Sequence, residues 1–208
     1  MNQARLLALA AALALTATTA QAQLQGFGRP TAGVYGGYSH PNGDFKSEAG
    51  DGWHAGALIK MRAYGALDLR VDGGFSKFAK KNIPLQLENG DTLSFHTDAN
   101  VAYGTLAAHL NLGPDSAAYP GDNTITPHLI AGVGLYHLDY KFSCTGACAG
   151  VTGPDVKTNM GFNLGGGATV PLAGLRPFLE ARYHRVSRKA EDGDSRTFLT
   201  VSAGIKIR

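Results

Sequence analysis

Hydrophobic and polar residues alternate along most of the chain that follows Pro30. Between Thr158 and Val186, two runs each place apolar residues at one parity and small or charged residues at the other, with a short break at 171–176. Because successive side chains of a β-strand point to opposite faces, this pattern predicts a hairpin whose strands each have an apolar face and a polar face. The charged residues Glu180 and Arg182 lie on the polar face in mid-strand.

The same alternation recurs in the rest of the chain and predicts eight strands. The clearest example is 66–76, where Asp68, Arg70 and Asp72 share one face and the other face is apolar. The predicted strands are 31–39, 53–61, 66–76, 95–112, 125–138, 158–170, 177–186 and 198–208. The parity of the apolar residues changes near Ala102, which predicts a β-bulge in the fourth strand.

The connections between the predicted strands alternate between long polar segments and short breaks. The long segments are 40–52, 77–94, 139–157 and 187–196. Short breaks lie at 62–65 and 171–176. The connection 113–124 is the exception, because it is long where the alternation calls for a short break. This rhythm is typical of outer-membrane barrels, and a sheet in hydrocarbon must close because its backbone groups find no other partners. We therefore predict an all-β fold, an eight-stranded antiparallel up-and-down transmembrane β-barrel.

Mid-strand charges set the expected orientation of this barrel. An arginine at mid-depth on the lipid-facing side costs about 2–4 kcal/mol, and far less in the lumen. The interior of an eight-stranded barrel is only just wide enough for its own side chains. We expect a packed lumen without an open pore, in which glycines such as 165–167 leave room for long side chains. The expected lumenal charge network consists of Asp68, Arg70, Asp72, Glu180 and Arg182.

The N-terminal segment has the pattern of a secretory signal peptide. Arg5 precedes a short apolar run, and small residues follow up to Ala22. We expect residues 1–22 to be a signal peptide, 23–30 a tether and 31–208 the barrel. After the signal peptide no apolar run reaches the length of about 20 residues that a membrane helix needs. The formal net charge of +3 falls to +2 without Arg5, which gives no reason to expect nucleic acid as a partner.

Three segments resemble a known family: TPHLIAGVGLYHL at 126–138, GFNLGGGATVPL at 161–172 and RPFLEARYH at 176–184. From about Thr31 to Arg208 the chain resembles the small outer-membrane β-barrel family, the OmpA/OmpX-like eight-stranded proteins of Gram-negative bacteria. The resemblance implies the cell outer membrane, and a role in envelope integrity, adhesion, host interaction or small-solute passage. Members usually end in an aromatic residue that the assembly machinery reads, whereas this sequence ends in Ile207-Arg208.

Small outer-membrane barrels of this kind include lipid A deacylases, which carry a His, a Ser and an acidic residue near the C-terminus. His184, Ser187 and Glu191 occur in the corresponding region. Catalysis needs the hydroxyl within hydrogen-bond reach of the imidazole, and strand residues three apart point to opposite faces. We therefore predict no catalytic residue and keep a deacylase as the alternative. Basic residues around Ser187 are expected to contact lipopolysaccharide phosphates or water: Arg185, Arg188 and Lys189.

Two cysteines lie four residues apart in the sequence CTGAC. In an exported protein Cys144 and Cys148 are expected to form a disulfide, with free thiols or a metal site as alternatives. His128 and His137 are nine residues apart and fall on opposite strand faces, which argues against a shared metal. The glycines near Val133 lack the rest of a nucleotide-binding loop. No metal and no cofactor are predicted.

A soluble exported barrel of the lipocalin type is a further alternative, because alternation alone does not say which face is inside. Glycines on the charged parity favour a crowded lumen instead. The predicted function is a structural or surface-interaction role for a monomeric outer-membrane barrel that contacts outer-membrane lipid and lipopolysaccharide. We expect it to meet a ligand or host surface, of unknown identity, through loops 77–94, 140–157 and 187–196.

Overall fold

The computed structural model of the protein describes residues 30–86, 92–113, 125–145, 156–172, 175–187 and 195–207. Helix α1 is Phe45–Glu48, and the strands are β1 Thr31–Asn42, β2 Gly52–Tyr64, β3 Leu67–Phe78, β4 Lys81–Gln86, β5 Thr92–Asn111, β6 Thr126–Thr145, β7 Lys157–Thr169, β8 Arg176–Val186 and β9 Arg196–Ile207. Within these ranges no helix is long and apolar enough to cross a membrane.

Eight of these strands close into a barrel. Neighbouring strands of the wall are antiparallel and follow one another as β1, β2, β3, β5, β6, β7, β8 and β9. The wall closes where β9 pairs with β1, with Ile205 opposite Val34, and it is continuous from β3 to β5, with Val71 opposite Leu106. The remaining strand, β4, pairs with the first part of β5. The eight-stranded up-and-down barrel predicted from the sequence is confirmed.

The apolar face of the barrel strands points outward and the charged face points into the lumen. Leu69, Val71 and Leu179 expose 37%, 50% and 63% of their surface, whereas Arg70 and Glu180 expose 0% and 3%. A soluble barrel would bury the apolar side chains in its interior and expose the charged ones to water, because charged side chains are almost never fully buried unless paired. The lipocalin-like alternative is therefore wrong.

The two ends of the barrel differ in their connections. At the short-turn end, β2 and β3 are joined by Gly65 and Ala66 alone, and the φ of 52° at Gly65 lies in the region that favours glycine. The segment between β7 and β8 lies at the same end. At the opposite end, the long-loop end, lie α1, β4 and the C-terminal ends of β6 and β8.

Two strands run past the rest of the wall at the long-loop end. β5 and β6 have 20 residues each, whereas the other barrel strands have 11 to 13. A tilted strand needs only about 9–11 residues to cross the apolar layer of a membrane. The predicted loops 77–94 and 139–157 are therefore wrong in part, because they contain β4, the start of β5 and the end of β6.

The predicted β-bulge near Ala102 is wrong. β5 pairs with β3 and with β6 in one continuous register through this position. The apolar parity changes there because Val101 and Tyr103 are apolar residues that point into the lumen. A register shift occurs in β2 instead, between Arg62 and Tyr64 at the short-turn end.

Candidate functional site in the barrel lumen

Four charged side chains meet in the middle of the lumen, and we call them the quartet: Arg70, Asp72, Glu180 and Arg182. They come from opposite walls, since β3 and β8 lie four strands apart in either direction around the barrel. Arg70 donates through Nη1 to Glu180 Oε2 at 2.7 Å and through Nη2 to Asp72 Oδ1 at 2.7 Å. Arg182 donates through Nε to Glu180 Oε1 at 2.5 Å and through Nη2 to Asp72 Oδ1 at 3.1 Å. Each guanidinium therefore contacts both carboxylates.

The quartet is buried and electrically neutral. None of its members exposes more than 3% of its surface, so each ion has lost most of its hydration, at an effective cost of several kcal/mol. Alternation of two cations with two carboxylates and charge-assisted hydrogen bonds offsets that cost. The structure thus brings together four of the five residues that the sequence assigned to the lumenal network, and they tie opposite walls across the barrel axis.

Glycines on the lumenal face make room for the long side chains. A Cβ atom on Gly165 would lie 2.8 Å from Cγ of Arg182, and one on Gly74 would lie 2.5 Å from the ring of Tyr103. Both distances are shorter than van der Waals contact, so a larger residue at either position would displace the side chain opposite.

The fifth predicted charge, Asp68, lies closer to the short-turn end and has other partners. Lys60 Nζ lies 2.6 Å from its Oδ2, Arg62 Nε lies 3.5 Å from its Oδ1, and Asn111 donates to Oδ2 at 2.8 Å. The Nδ1 atom of His109 lies 3.7 Å from Oδ2, which is beyond hydrogen-bond distance. Sequence reasoning missed Lys60 and His109, although both share the lumenal parity of their strands.

A histidine pair and a lysine complete this end of the lumen. The rings of His109 and His128 stack with centroids 4.5 Å apart, and His128 Nε2 lies 3.3 Å from Glu180 Oε2 of the quartet. Lys206 Nζ donates to Thr169 Oγ1 at 3.0 Å and lies 4.5 Å from the centre of the Phe178 ring. We call the following residues the short-turn cluster: Lys60, Asp68, His109, His128 and Lys206.

Aromatic rings close the lumen at the long-loop end, and we call them the aromatic plug: Phe45, Phe78, Tyr140 and Phe198. Phe45 is fully buried, and its ring centroid lies 4.9 Å from that of Phe78 and 6.4 Å from that of Phe198. An ion pair between Glu48 of α1 and Arg196 of β9 fastens the helix to the wall. Sequence reasoning missed this plug because it treated 40–52 as a polar loop. The lone phenylalanine in that loop was the available signal.

His184 lies inside the barrel, beneath the plug. Its Nδ1 atom lies 3.1 Å from the hydroxyl of Tyr136, and its ring stacks on Phe198 with centroids 4.5 Å apart. Ser187 follows the end of β8 and is exposed. The structure therefore does not bring His184 and Ser187 together, and Glu191 lies outside the described residues.

Of the other predicted site residues, the structure describes Cys144 and Arg185, which lie at the long-loop end. Cys144 belongs to β6. Cys148 lies outside the described residues, so the disulfide stays a prediction. Arg185 is exposed on the outer face of β8, whereas Arg188 and Lys189 are also outside the described part of the chain.

The two histidines of β6 lie on opposite faces, as their spacing predicted. His128 is buried in the lumen, whereas His137 is exposed and its Nδ1 atom lies 2.9 Å from Thr158 Oγ1. Where the chain is described, no group of three or more His, Cys, Asp or Glu side chains is arranged to hold a metal ion.

One acidic residue at the long-loop end has a shifted pKa. Asp51 directly precedes β2, and its Oδ1 atom lies 2.5 Å from Nδ1 of His40. A hydrogen bond from the hydroxyl of Tyr38, with a smaller contribution from His40, lowers the pKa of the Asp51 carboxyl. These bonds link β1 to Asp51, the last residue of the connection 43–51 that contains α1.

The fold has counterparts among solved structures, although the sequence does not. No protein-family model matches the chain, and no curated protein sequence matches it significantly. The chain is similar to neisserial surface protein A, with a TM-score of 0.57 and 12% identity over 88% of this chain and 99% of that one. It is also similar to the N-terminal β-barrel domain of Pseudomonas aeruginosa OprF, with a TM-score of 0.49 and 12% identity over 87% and 99% of the two chains. The likeness to neisserial surface protein A shows the same barrel fold.

Proposed function

We propose that the protein is an outer-membrane β-barrel with a structural or surface-interaction role, which acts through its long-loop end and passes no solute through its lumen. The observation that carries this proposal is the quartet, which joins opposite walls across the barrel axis while the apolar side chains face outward.

The outer surface supports a location in a membrane. Leu129, Val133 and Leu135 of β6 each expose more than half of their surface, and apolar side chains are exposed on all eight strands of the wall. Monomeric soluble proteins rarely expose contiguous apolar patches larger than a few hundred Å². Toward the long-loop end the outward positions become polar, at Lys77 and His137 for example, as expected where strands leave the apolar layer.

The packing of the lumen supports the proposal that no solute passes through the barrel. Besides the quartet, the aromatic plug blocks the long-loop end with rings that are in mutual contact. A hydrated ion would have to displace both layers, and an eight-stranded barrel has no spare width for a path around them.

The long-loop end supports a role at the cell surface. Residues 94–101 of β5 pair with 138–145 of β6 beyond the apolar band, and eight residues of strand extend over about 26 Å. Segments positioned on such a rigid scaffold are the usual location of binding residues. Arg185 at this rim, with Arg188 and Lys189 nearby in sequence, offers cations for lipopolysaccharide phosphates.

Conductance in planar bilayers tests the closed lumen. We expect no steady openings from the refolded wild-type protein. Arg70→Ala and Arg182→Ala combined with Phe45→Ala should admit brief openings, because the ion pairs across the axis and the central ring of the aromatic plug are both removed. Steady large openings of the wild-type barrel would contradict the proposal.

Antibody binding to intact cells tests which end faces outward. An epitope inserted between β4 and β5, at 87–91, should be detected on whole cells. The matched insertion in the Gly65–Ala66 turn should be detected only after the cells are opened. The reverse pattern would overturn the proposed role of the long-loop end.

Partition into vesicles tests the contact with lipopolysaccharide. Arg185→Ala should weaken the preference for vesicles that contain lipopolysaccharide over vesicles of phospholipid alone. Arg176→Ala, which removes the same charge at the short-turn end, should leave that preference unchanged. Equal effects of the two substitutions would argue against a specific contact at this rim.

A further inference from the structure

The quartet and the short-turn end of the lumen differ in charge balance. The quartet has two cations and two carboxylates. Of the lumenal charges described around the short-turn cluster, Lys60, Arg62 and Lys206 are cations, whereas Asp68 is the carboxylate that pairs with the first two. Among these four described side chains, cations therefore outnumber carboxylates by three to one.

Among the described residues, Lys206 forms no ion pair. It exposes 3% of its surface, and its described contacts are the neutral hydroxyl of Thr169 and the ring of Phe178. A buried ammonium is costly unless it is paired and hydrogen-bonded, so such a group either loses its proton or holds an anion. Neither contact supplies a negative charge.

Unsatisfied polar atoms occur next to this lysine. Both ring nitrogens of His109 and Nδ1 of His128 have no hydrogen-bond partner among the described residues, although both side chains are buried. Lys206 acts electrostatically on both rings, so the three side chains share one region. Glu180 accepts from His128 Nε2, which leaves Nδ1 of a neutral His128 as an acceptor. A neutral His109 still has one free N–H donor.

We propose that the short-turn cluster binds a small inorganic anion of the size of chloride, held between the ammonium of Lys206 and the ring N–H of His109. Lys60 and Arg62 lie on the more exposed side of this cluster, with side chains that are 15% and 30% exposed, and the buried quartet lies on its other side. Cations around the site attract an anion and repel cations. This inference is separate from the surface role proposed for the long-loop end.

Chloride-dependent unfolding of the full barrel in detergent tests the site. Sodium gluconate replaces sodium chloride at constant ionic strength and pH 7, because gluconate is a much larger anion than chloride. The urea midpoint of the wild-type protein should rise with chloride and saturate, since a ligand that binds only the folded state stabilises it by mass action. Lys206→Met should abolish the saturating rise. The matched control Lys77→Met, which removes an ammonium from the outer rim, should retain it. A chloride response that is absent from the wild-type protein, or equal in all three proteins, would overturn the proposal.

Crystals grown with sodium bromide provide a readout that does not depend on the folding of a variant. An anomalous bromide peak within hydrogen-bond distance of Lys206 Nζ is the expected result. Water molecules alone beside Lys206 Nζ would show that this ammonium is satisfied without an anion, and the proposal would then be wrong.

Discussion

The two faces of β8 show how one strand meets two different environments. Its lumenal face carries Glu180, Arg182 and His184, each hydrogen-bonded and almost completely buried. Its outward face carries Leu179, which is 63% exposed, with Ala181 and Tyr183 in the same row. The lumenal face depends on specific partners, so removal of one side chain leaves others unpaired. The outward face requires only that charge be absent, so apolar substitutions should be tolerated there and charged ones should not.

The largest effect is expected from a break in the lumenal pairing. Arg70→Met would leave Asp72 and Glu180 sharing the one remaining guanidinium, and breaking a buried ion pair costs about 3–5 kcal/mol. Urea unfolding in detergent measures this loss of stability. Lys77→Met, on the outward rim of the same strand, should change the free energy of unfolding by less than about 0.5 kcal/mol. Similar losses for both variants would remove the distinction between the two faces.

A charge on the outward face should have the next largest effect. Val71→Arg at mid-depth should lower the unfolding free energy in lipid by about 2–4 kcal/mol, whereas Val71→Leu should be close to neutral. Ile125→Arg, placed at the short-turn end before β6, is the depth control and should cost at most about 1 kcal/mol. An arginine at position 71 that costs no more than this control would mean that Val71 does not face hydrocarbon.

The aromatic plug should matter less to global stability, because the connection 43–51 can detach while the barrel remains closed. We expect Phe45→Ala to cost about 1–2 kcal/mol, within the usual range for point substitutions, and to raise hydrogen exchange in 43–51 selectively. The control Phe75→Ala removes a lipid-facing ring on β3 and should leave exchange in 43–51 unchanged. Uniform exchange changes across the barrel would show that the plug is not a separate unit.

The smallest effect is expected at the exposed Asp51. Its pKa is lowered in the folded protein, so its contribution to stability is present above the unfolded pKa of about 3.9 and is lost as the pH falls through the folded value. An NMR titration of the carboxyl should give a midpoint below 3.9, the reference value. Asp51→Asn should make the protection of 43–51, corrected for the intrinsic pH dependence of exchange, less sensitive to pH over this window than in the wild-type protein. A midpoint at or above the reference value would contradict the bonds from Tyr38 and His40.

The alternation of side chains predicted the barrel, and the mid-strand charges with the glycines on the charged parity predicted the direction of its faces. It identified the members of the quartet because charges at i and i+2, such as Glu180 and Arg182, share a face. It did not predict which charges meet, because that depends on β3 and β8 lying opposite each other after closure. It also failed at Val101 and Tyr103, where the lumen is itself apolar, and at Phe45, whose burial follows from tertiary packing of a polar connection.

The most direct test of the central claim is the environment of Leu179 in a lipid bilayer. A spin label attached to Leu179→Cys, in a protein with Cys144→Ser and Cys148→Ser, reports collisions with oxygen and with a water-soluble nickel chelate. Because the apolar face points to lipid in this account, oxygen collisions should dominate and the chelate should be excluded. A label that the chelate reaches freely, or that neither reagent reaches, would mean that Leu179 faces water or the lumen and would contradict the account.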